Sequence, residues 1–472
     1  PEWARVYQVG VSPFDSGTAY VVYDAHELDN RHPYAYRTSD YGATWRSISS
    51  GLPDNSPVHV VREDPNDKGL LVAGTDNGLF YSVDHGDHWN ALTADFPTAA
   101  VYDLQFVKNS HDLLVATHGR GLFVFDDIRP LEELTSEIQS SAFHLFTPAP
   151  GIIYHSWRGG GGERGGYSAP NAPTGVIIDY FLKSEIKPES EGRMGRGGAG
   201  VRPGADREGP VKIVITDEHG DAVATENAPA NAGINRFVWN MRYAGAAQYK
   251  GERPPMGGGG GFNRNAGPQA IPGTYKVSVT VNGQTESQSV SILPDPNVHV
   301  DPAIFRANLE VGLRARSEES ALNEMMNRID DLTKQLSDFQ STIQSSDDKA
   351  EKSKFESIVA KGRELSRKLT AIKDAVYNPA IQHNVAEDDI HDLTRLHDQM
   401  SGIGFEAGGG YGEPVSPLVK AKMDELFGEV ADQLKAFNDV LKTDVASYNN
   451  AAQAAGAPTV FGGSPIEVKA AK

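Results

Sequence analysis

The side chains able to do chemistry in this chain do not assemble into a known constellation. Arg37, Arg62 and Arg120 could bind an anion, and Glu63 and Asp103 are carboxylates of the kind that act in pairs on glycosidic bonds. No spacing joins these five, so the sequence assigns no catalytic residue. His85-Gly86-Asp87-His88 places two imidazoles within reach of one ion, but no further ligand follows, and a metal site needs three or four. His391 and His397 lie among Asp388, Asp389, Asp392 and Asp398. A carboxylate di-metal site would need Glu-x-x-His on two helices; Glu387-Asp388-Asp389-Ile390-His391 misses that spacing and has no second copy, so a solvated acidic face is expected. Glycine-rich inserts run from Gly159 to Gly166, Gly192 to Gly209 and Gly257 to Gly267. They could offer backbone N–H groups to phosphate. None carries G-x-x-x-x-G-K-[ST] or joins a parallel strand to a helix, so they read as loops. There is no cysteine, which excludes disulfides, thiolate zinc and cysteine nucleophiles. No metal or cofactor is expected.

The elements that would position these groups begin with a repeat. Ser39-Asp40-Tyr41-Gly42-Ala43-Thr44-Trp45, with Thr38 in the leading hydroxyl slot, recurs as Ser82-Val83-Asp84-His85-Gly86-Asp87-His88-Trp89, 44 residues on. Gly78-Leu79-Phe80 recurs as Gly121-Leu122-Phe123 after 43. A period in the low forties is one four-stranded propeller blade. Strands are expected at Val58 to Val61, Leu70 to Ala73 and Leu79 to Ser82, and again at Val101 to Phe106, Asp112 to Ala116 and Leu122 to Phe125. The first copy, from Val6 to Trp45, carries an insertion around Glu27 to Pro33, expected as a loop.

These residues resemble the Asp-box repeat of sialidases, xyloglucanases and the sortilin ectodomain. The resemblance implies a structural role for Ser39, Asp40, Gly42 and Trp45 and for Ser82, Asp84, Gly86 and Trp89: the aspartate accepts backbone N–H groups in a hairpin turn, glycine permits positive φ, and tryptophan packs between sheets. A sialidase site would further need an arginine cluster and a tyrosine with a glutamate partner, drawn from several blades. Ala116-Thr117-His118-Gly119-Arg120-Gly121 resembles the closing-blade motif of large Asp-box proteins; His118 and Arg120 either face the central channel or shape the hairpin. Residues 1–130 supply fewer than three blades, whereas closure takes about four to eight. The remaining blades are expected from another chain or an upstream fragment, Pro1 being read as a processed or fragment start.

Residues 146–296 read as a β-sandwich, with strands at Gly175 to Leu182, Val211 to Thr216, Asn235 to Met241 and Gly273 to Val281. The order of Thr216-Asp217-Glu218-His219-Gly220, Gly233 to Asn240 and Pro272-Gly273-Thr274-Tyr275 resembles the Ig-like domain of the flagellar hook-capping protein, which implies an exported address. Residues 301–450 read as an antiparallel helical bundle. Asp301-Pro302 starts the first helix, whose seam is Leu322, Met325, Ile329, Leu332, Leu336, Phe339 and Ile343. A second seam runs from Phe355 to Val376, a short helix is expected from Asp388 to Met400, and Ser416-Pro417 caps the last, leaving 451–472 as a tail.

The formal charge of −19 argues against nucleic acid and anionic membrane as partners. No apolar run reaches the ~18 residues of a membrane span. Partial propeller, Ig-like sandwich and helical bundle together resemble the C-terminal portion of large secreted bacterial Asp-box proteins. The expected function is non-enzymatic binding of protein or glycan and assembly, as an oligomer, outside the cell, on its surface or in the periplasm. Two alternatives stand: a glycoside hydrolase of sialidase or xyloglucanase type with its active face in other blades, and a structural subunit of a filament or surface layer.

Overall fold

A computed structural model describes residues 2–93, 96–155, 171–187, 209–251, 266–381, 393–407 and 411–469. Three meander sheets come first. The first holds β1 (Arg5–Val11), β2 (Ala19–Ala25), β3 (Asn30–Thr38) and β4 (Arg46–Ser47), and the second β5 (Val58–Glu63), β6 (Leu71–Thr75), β7 (Gly78–Ser82) and β8 (Asn90–Leu92). The third has three strands, β9 (Val101–Val107), β10 (Asp112–Thr117) and β11 (Leu122–Phe125). Each strand pairs antiparallel with the next in sequence, because the links between them are short.

The middle sheet is covered on both faces. Val61, Leu71 and Ala73 join Tyr20, Val22 and Ala35 of the first sheet in one core. Val60, Val72 and Leu79 join Val101, Leu104, Leu113 and Val115 of the third in another. Neighbours such as Val60 and Val61 enter different cores because side chains alternate along a strand, and a strand buried twice reads as a continuous apolar run. The outer sheets each keep one open face: β1 exposes Val6, Val9 and Val11, and β10 and β11 expose Leu114, Leu122 and Val124. Three meanders stacked in series fit a partial propeller. The expected loop at Glu27 to Pro33 is instead a 3-10 turn, His26–Leu28, closed by Asp29 at φ 59°, after which β3 begins at Asn30. The extra residues lengthen a strand.

Ile128, Leu131 and Leu134, carried on and beside α1 (Arg129–Glu132), cap the second core, and Ile138 of α2 (Ser136–Ser140) packs against it. Two sheets with a shared core follow. One contains β12 (Phe143–Leu145), β14 (Val176–Leu182) and β17 (Gly233–Trp239). The other runs in the order β13 (Gly151–Ile153), β19 (Gln284–Pro294), β18 (Gly273–Val281), β15 (Val211–Thr216), β16 (Ala222–Asn227), with β13 parallel to β19. Ile178, Tyr180 and Trp239 from the first sheet meet Ile213, Ile215 and Val277 from the second. Of the glycine inserts, 159–166, 192–208 and 257–265 lie outside the described residues.

The C-terminal region is helical: α3 (Pro302–Ser345), α4 (Lys349–Val376), α5 (Leu396–Ala407) and α6 (Pro417–Val440), which continues through a π turn at Leu441–Val445 into α7 (Ala446–Ala455). Asp301 and Ser416 cap α3 and α6 by accepting from Ala303 N and Val419 N, and proline occupies the first helical position in both. Leu322, Met325, Ile329, Leu332 and Leu336 of α3 are buried against Ile358, Leu365 and Leu369 of α4 and Leu426, Val430 and Leu434 of α6. Glu387, Asp388, Asp389, His391 and Asp392 lie outside the described residues, and the short helix is described only from Leu396; His397 and Asp398, expected on a solvated face, instead have buried side chains. Residues 457–469 run extended along the bundle, with Val460 and Ile466 buried in its core.

Candidate functional site

The two repeated turns are closed by the same bonds. Thr38 Oγ1 donates to Asp40 Oδ1 (2.8 Å) and accepts from Gly42 N (2.9 Å), while Asp40 Oδ1 accepts from Thr44 N (2.9 Å). In the second turn Ser82 Oγ donates to Asp84 Oδ1 (2.7 Å) and accepts from Gly86 N (2.8 Å), and Asp84 Oδ1 accepts from His88 N (2.9 Å). Thr38 therefore does in the first turn what Ser82 does in the second; Ser39 is an exposed neighbour. Tyr41 and Gly42 (φ 60° and 86°) match His85 and Gly86 (φ 60° and 90°), so the backbone fold of the turn is the same. The Thr44 hydroxyl and amide hold Asp40 below the ordinary carboxylate range, and the Asp84 carboxylate pushes His88 above the imidazole range. His88 is bound to Asp84 (2.6 Å), whereas His85 turns inward towards Gly69, so the two histidines do not converge.

The tryptophans differ. Trp89 is 7% exposed and its Nε1 donates to Ile48 O of the preceding sheet at 2.6 Å. Trp45, at the same place in the first turn, is 45% exposed.

Two further clusters emerge only in three dimensions. Between the first two sheets, Tyr20, Arg37, Glu63 and His85 face one another. Glu63 accepts from Gly69 N, and Arg37 Nε and His85 Nδ1 are buried without a hydrogen-bond partner among the described residues. Burial, followed by the Glu63 charge, raises the Tyr20 phenol, and burial with the Arg37 charge lowers His85. Tyr20 is 1% exposed. A neutral phenol sealed between sheets cannot attack a solvent-borne substrate. Arg62 instead pairs with Asp103 (3.0 Å) across the second and third sheets.

The first strands of the three sheets lie side by side and bring three rings into a row, which His118 of the β10–β11 turn extends. His59 of β5 lies 4.8 Å from Tyr7 of β1 and stacks on Tyr102 of β9 at 4.4 Å; His118 follows Tyr102 at 5.4 Å. His59 Nε2 bonds to Asp76 (2.7 Å), which also pairs with Arg31 (3.3 Å). His118 and Arg120 are exposed in the β10–β11 turn, and His118 N donates to Ala100 O. Each of these first strands gives the row a single ring near its start, Tyr7, His59 and Tyr102, which is too short a local pattern to announce it. Among the described residues no group of His, Asp and Glu could hold a metal ion, and no helix is long and apolar enough to cross a membrane.

No protein-family model matches this sequence, and no curated protein does. Solved structures share a likeness at low identity. YCF48 bound to D1 peptide is 17% identical over 26% of this chain and 36% of its own, with a TM-score of 0.20. PorZ of Porphyromonas gingivalis, a surface component of the type-IX secretion system, is 12% identical over 61% and 30% (TM-score 0.21). The GH74 xyloglucanase of Xanthomonas campestris is 14% identical over 64% and 40% (TM-score 0.21). The chain spans less than half the length of each. At these TM-scores the fold is read from the sheets themselves.

Proposed function

We propose that this chain is the closing part of a propeller-based binding and assembly protein that works outside the cell or on its surface, without catalysis of its own. The carrying observation is the pair of tryptophans. One repeat seats its indole on the preceding sheet, and the other presents the same indole to solvent on the first sheet, which also exposes Val6, Val9 and Val11. A further sheet of the same repeat would cover Trp45 as the first sheet covers Trp89. The open face of Leu114, Leu122 and Val124 on the third sheet is the complementary end. The repeated turns resemble Asp boxes, and the two-sheet unit is read as an Ig-like spacer between the propeller and the bundle.

The non-enzymatic reading is supported by the burial of Tyr20 and Glu63, a tyrosine and a glutamate that the fold brings together away from solvent. Tyr102 and His118, exposed at the end of the row that starts from Tyr7 and the buried His59, offer a surface for a protein or glycan ligand. The test is the mass of the native particle together with a screen for polysaccharide turnover. A particle containing further blade-forming sheets, with no turnover, is expected. A lone copy of this chain, or hydrolysis of any polysaccharide, overturns the reading.

A further inference from the structure

The extended segment 457–469 is held by side-chain amides that each grip one residue of its backbone twice. Asn449 Oδ1 accepts from Val460 N (2.8 Å) while its Nδ2 donates to Val460 O (2.9 Å). Gln335 does the same to Phe461 (2.8 and 3.4 Å), and Asn438 to Ile466 (2.9 and 2.8 Å). The Arg328 guanidinium donates to Gly462 O and Ser464 O. These grips read backbone, as a neighbouring strand would, and they come from α3, α6 and α7.

Selectivity comes from what lies between the grips. Val460 and Ile466 are buried, whereas Phe461 points to solvent. A side chain on Gly462 would meet Leu441 Cδ2 at 2.9 Å. Gly463 has φ +72°, and its added carbon would lie 2.9 Å from Arg328 Nη1. The π turn at Leu441–Val445 supplies this floor, since Leu441 and Val445 are the atoms nearest Gly462 on that helix.

We infer that the groove formed by α3, α6, the π turn and α7 is a peptide-recognition site for an extended segment of the pattern apolar-x-Gly-Gly-x-Pro-apolar, occupied in this chain by its own residues 460–466. The segment is then a detachable ligand seated on the helical bundle. Leu322, Met325, Ile329, Leu332 and Leu336 of α3 pack with residues of α4 and α6, and the segment adds Ala457, Val460 and Ile466 to that same core, with Val468 packed against it.

A protease site inserted in the full chain between the exposed Pro458 and Thr459 allows the segment to be cut after folding. A fluorescent peptide with the sequence of residues 459–469 is then added and followed by anisotropy, with circular dichroism recording helix content. Saturable exchange into the cut chain, none into the uncut chain, and unchanged helix content are expected. Gly463→Val in the peptide weakens binding at least about tenfold, because both the positive φ and the Arg328 contact are lost. Asn438→Ala in the chain weakens the unaltered peptide by about three- to tenfold, the worth of one or two hydrogen bonds. Absence of exchange, collapse of the helices on release, binding to the uncut chain, or equal affinity for the Gly463→Val peptide overturns the inference.

Discussion

Trp45 and Trp89 give the sharpest test of the stacked sheets, because one substitution can be made twice in the same motif. Trp89→Ala empties a site that is 7% exposed and strands the Ile48 carbonyl, which now accepts from the indole at 2.6 Å. Truncating a buried tryptophan costs about 3–5 kcal/mol, of which roughly 1 kcal/mol is the hydrogen bond. Trp45→Ala removes an indole already 45% exposed and should cost no more than about 1 kcal/mol. Urea titration followed by hydrogen exchange of peptides covering β2 to β7 measures both locally, which avoids assuming one transition for a multi-unit chain. The expected result is early opening of the first two sheets in Trp89→Ala and little change in Trp45→Ala. Equal and large losses would show that Trp45 is already seated on a covered face. A neutral Trp89→Ala would show that the indole does not tie the sheets together.

Three other outcomes follow from packing and charge. Gly74 lies in β6, and an added methyl would meet Val101 Cγ1 at 2.5 Å and Val60 Cγ1 at 2.7 Å, so Gly74→Ala should destabilise the second and third sheets by about 1–3 kcal/mol, read by thermal unfolding. Arg236 grips the buried Asp179 with two nitrogens (2.9 and 2.8 Å) and donates to the carbonyls of Asp126 and Asp127 (both 2.7 Å), coupling the third sheet to the sandwich. Arg236→Ala should cost about 3–5 kcal/mol near neutral pH by leaving a buried carboxylate unpaired. Burial already raises Asp179 in spite of Arg236, so the loss should shrink as acid protonates it, which a pH series of unfolding curves will show. Burial pushes Asp64 up to about 6, only partly offset by the Asn66 amide at 2.6 Å. A carboxyl with a folded pKa above its unfolded one favours folding in its protonated form, so its contribution is lost as pH rises from about 4 to about 6. Asp64→Asn should remove that dependence and gain on the order of 3 kcal/mol at pH 8, at about 1.4 kcal/mol per pH unit; unchanged pH curves would refute it.

Much of this architecture was legible in local pattern. The hydroxyl, aspartate, glycine and tryptophan of each turn carry their own hydrogen-bonding instructions, so a 44-residue recurrence announced repeated sheets. Helix starts at Asp301 and Ser416 were equally local, since a cap satisfies the first amides of its own helix. The strands β16 and β19 are less plain in local pattern, although Asn282-Gly283, with φ 48° and 81°, is a hairpin signal that places β19 directly after β18. Residues 457–469 read as a tail because an extended segment without periodicity shows its partners only when Gln335, Asn438 and Asn449 are brought beside it.

The sequence by itself therefore determined the turn chemistry, the strand and helix types, and the absence of any cysteine chemistry, all of which depend on residues within a few positions of one another. Tertiary structure alone decided that Tyr20, Arg37, Glu63 and His85 form a polar cluster between two sheets, that Tyr7, His59, Tyr102 and His118 form a row, and that two identical tryptophan positions differ in exposure. Burial depends on which sheet stacks on which. Trp45 and Trp89 carry the same local code, and only Trp89 has a sheet in front of it.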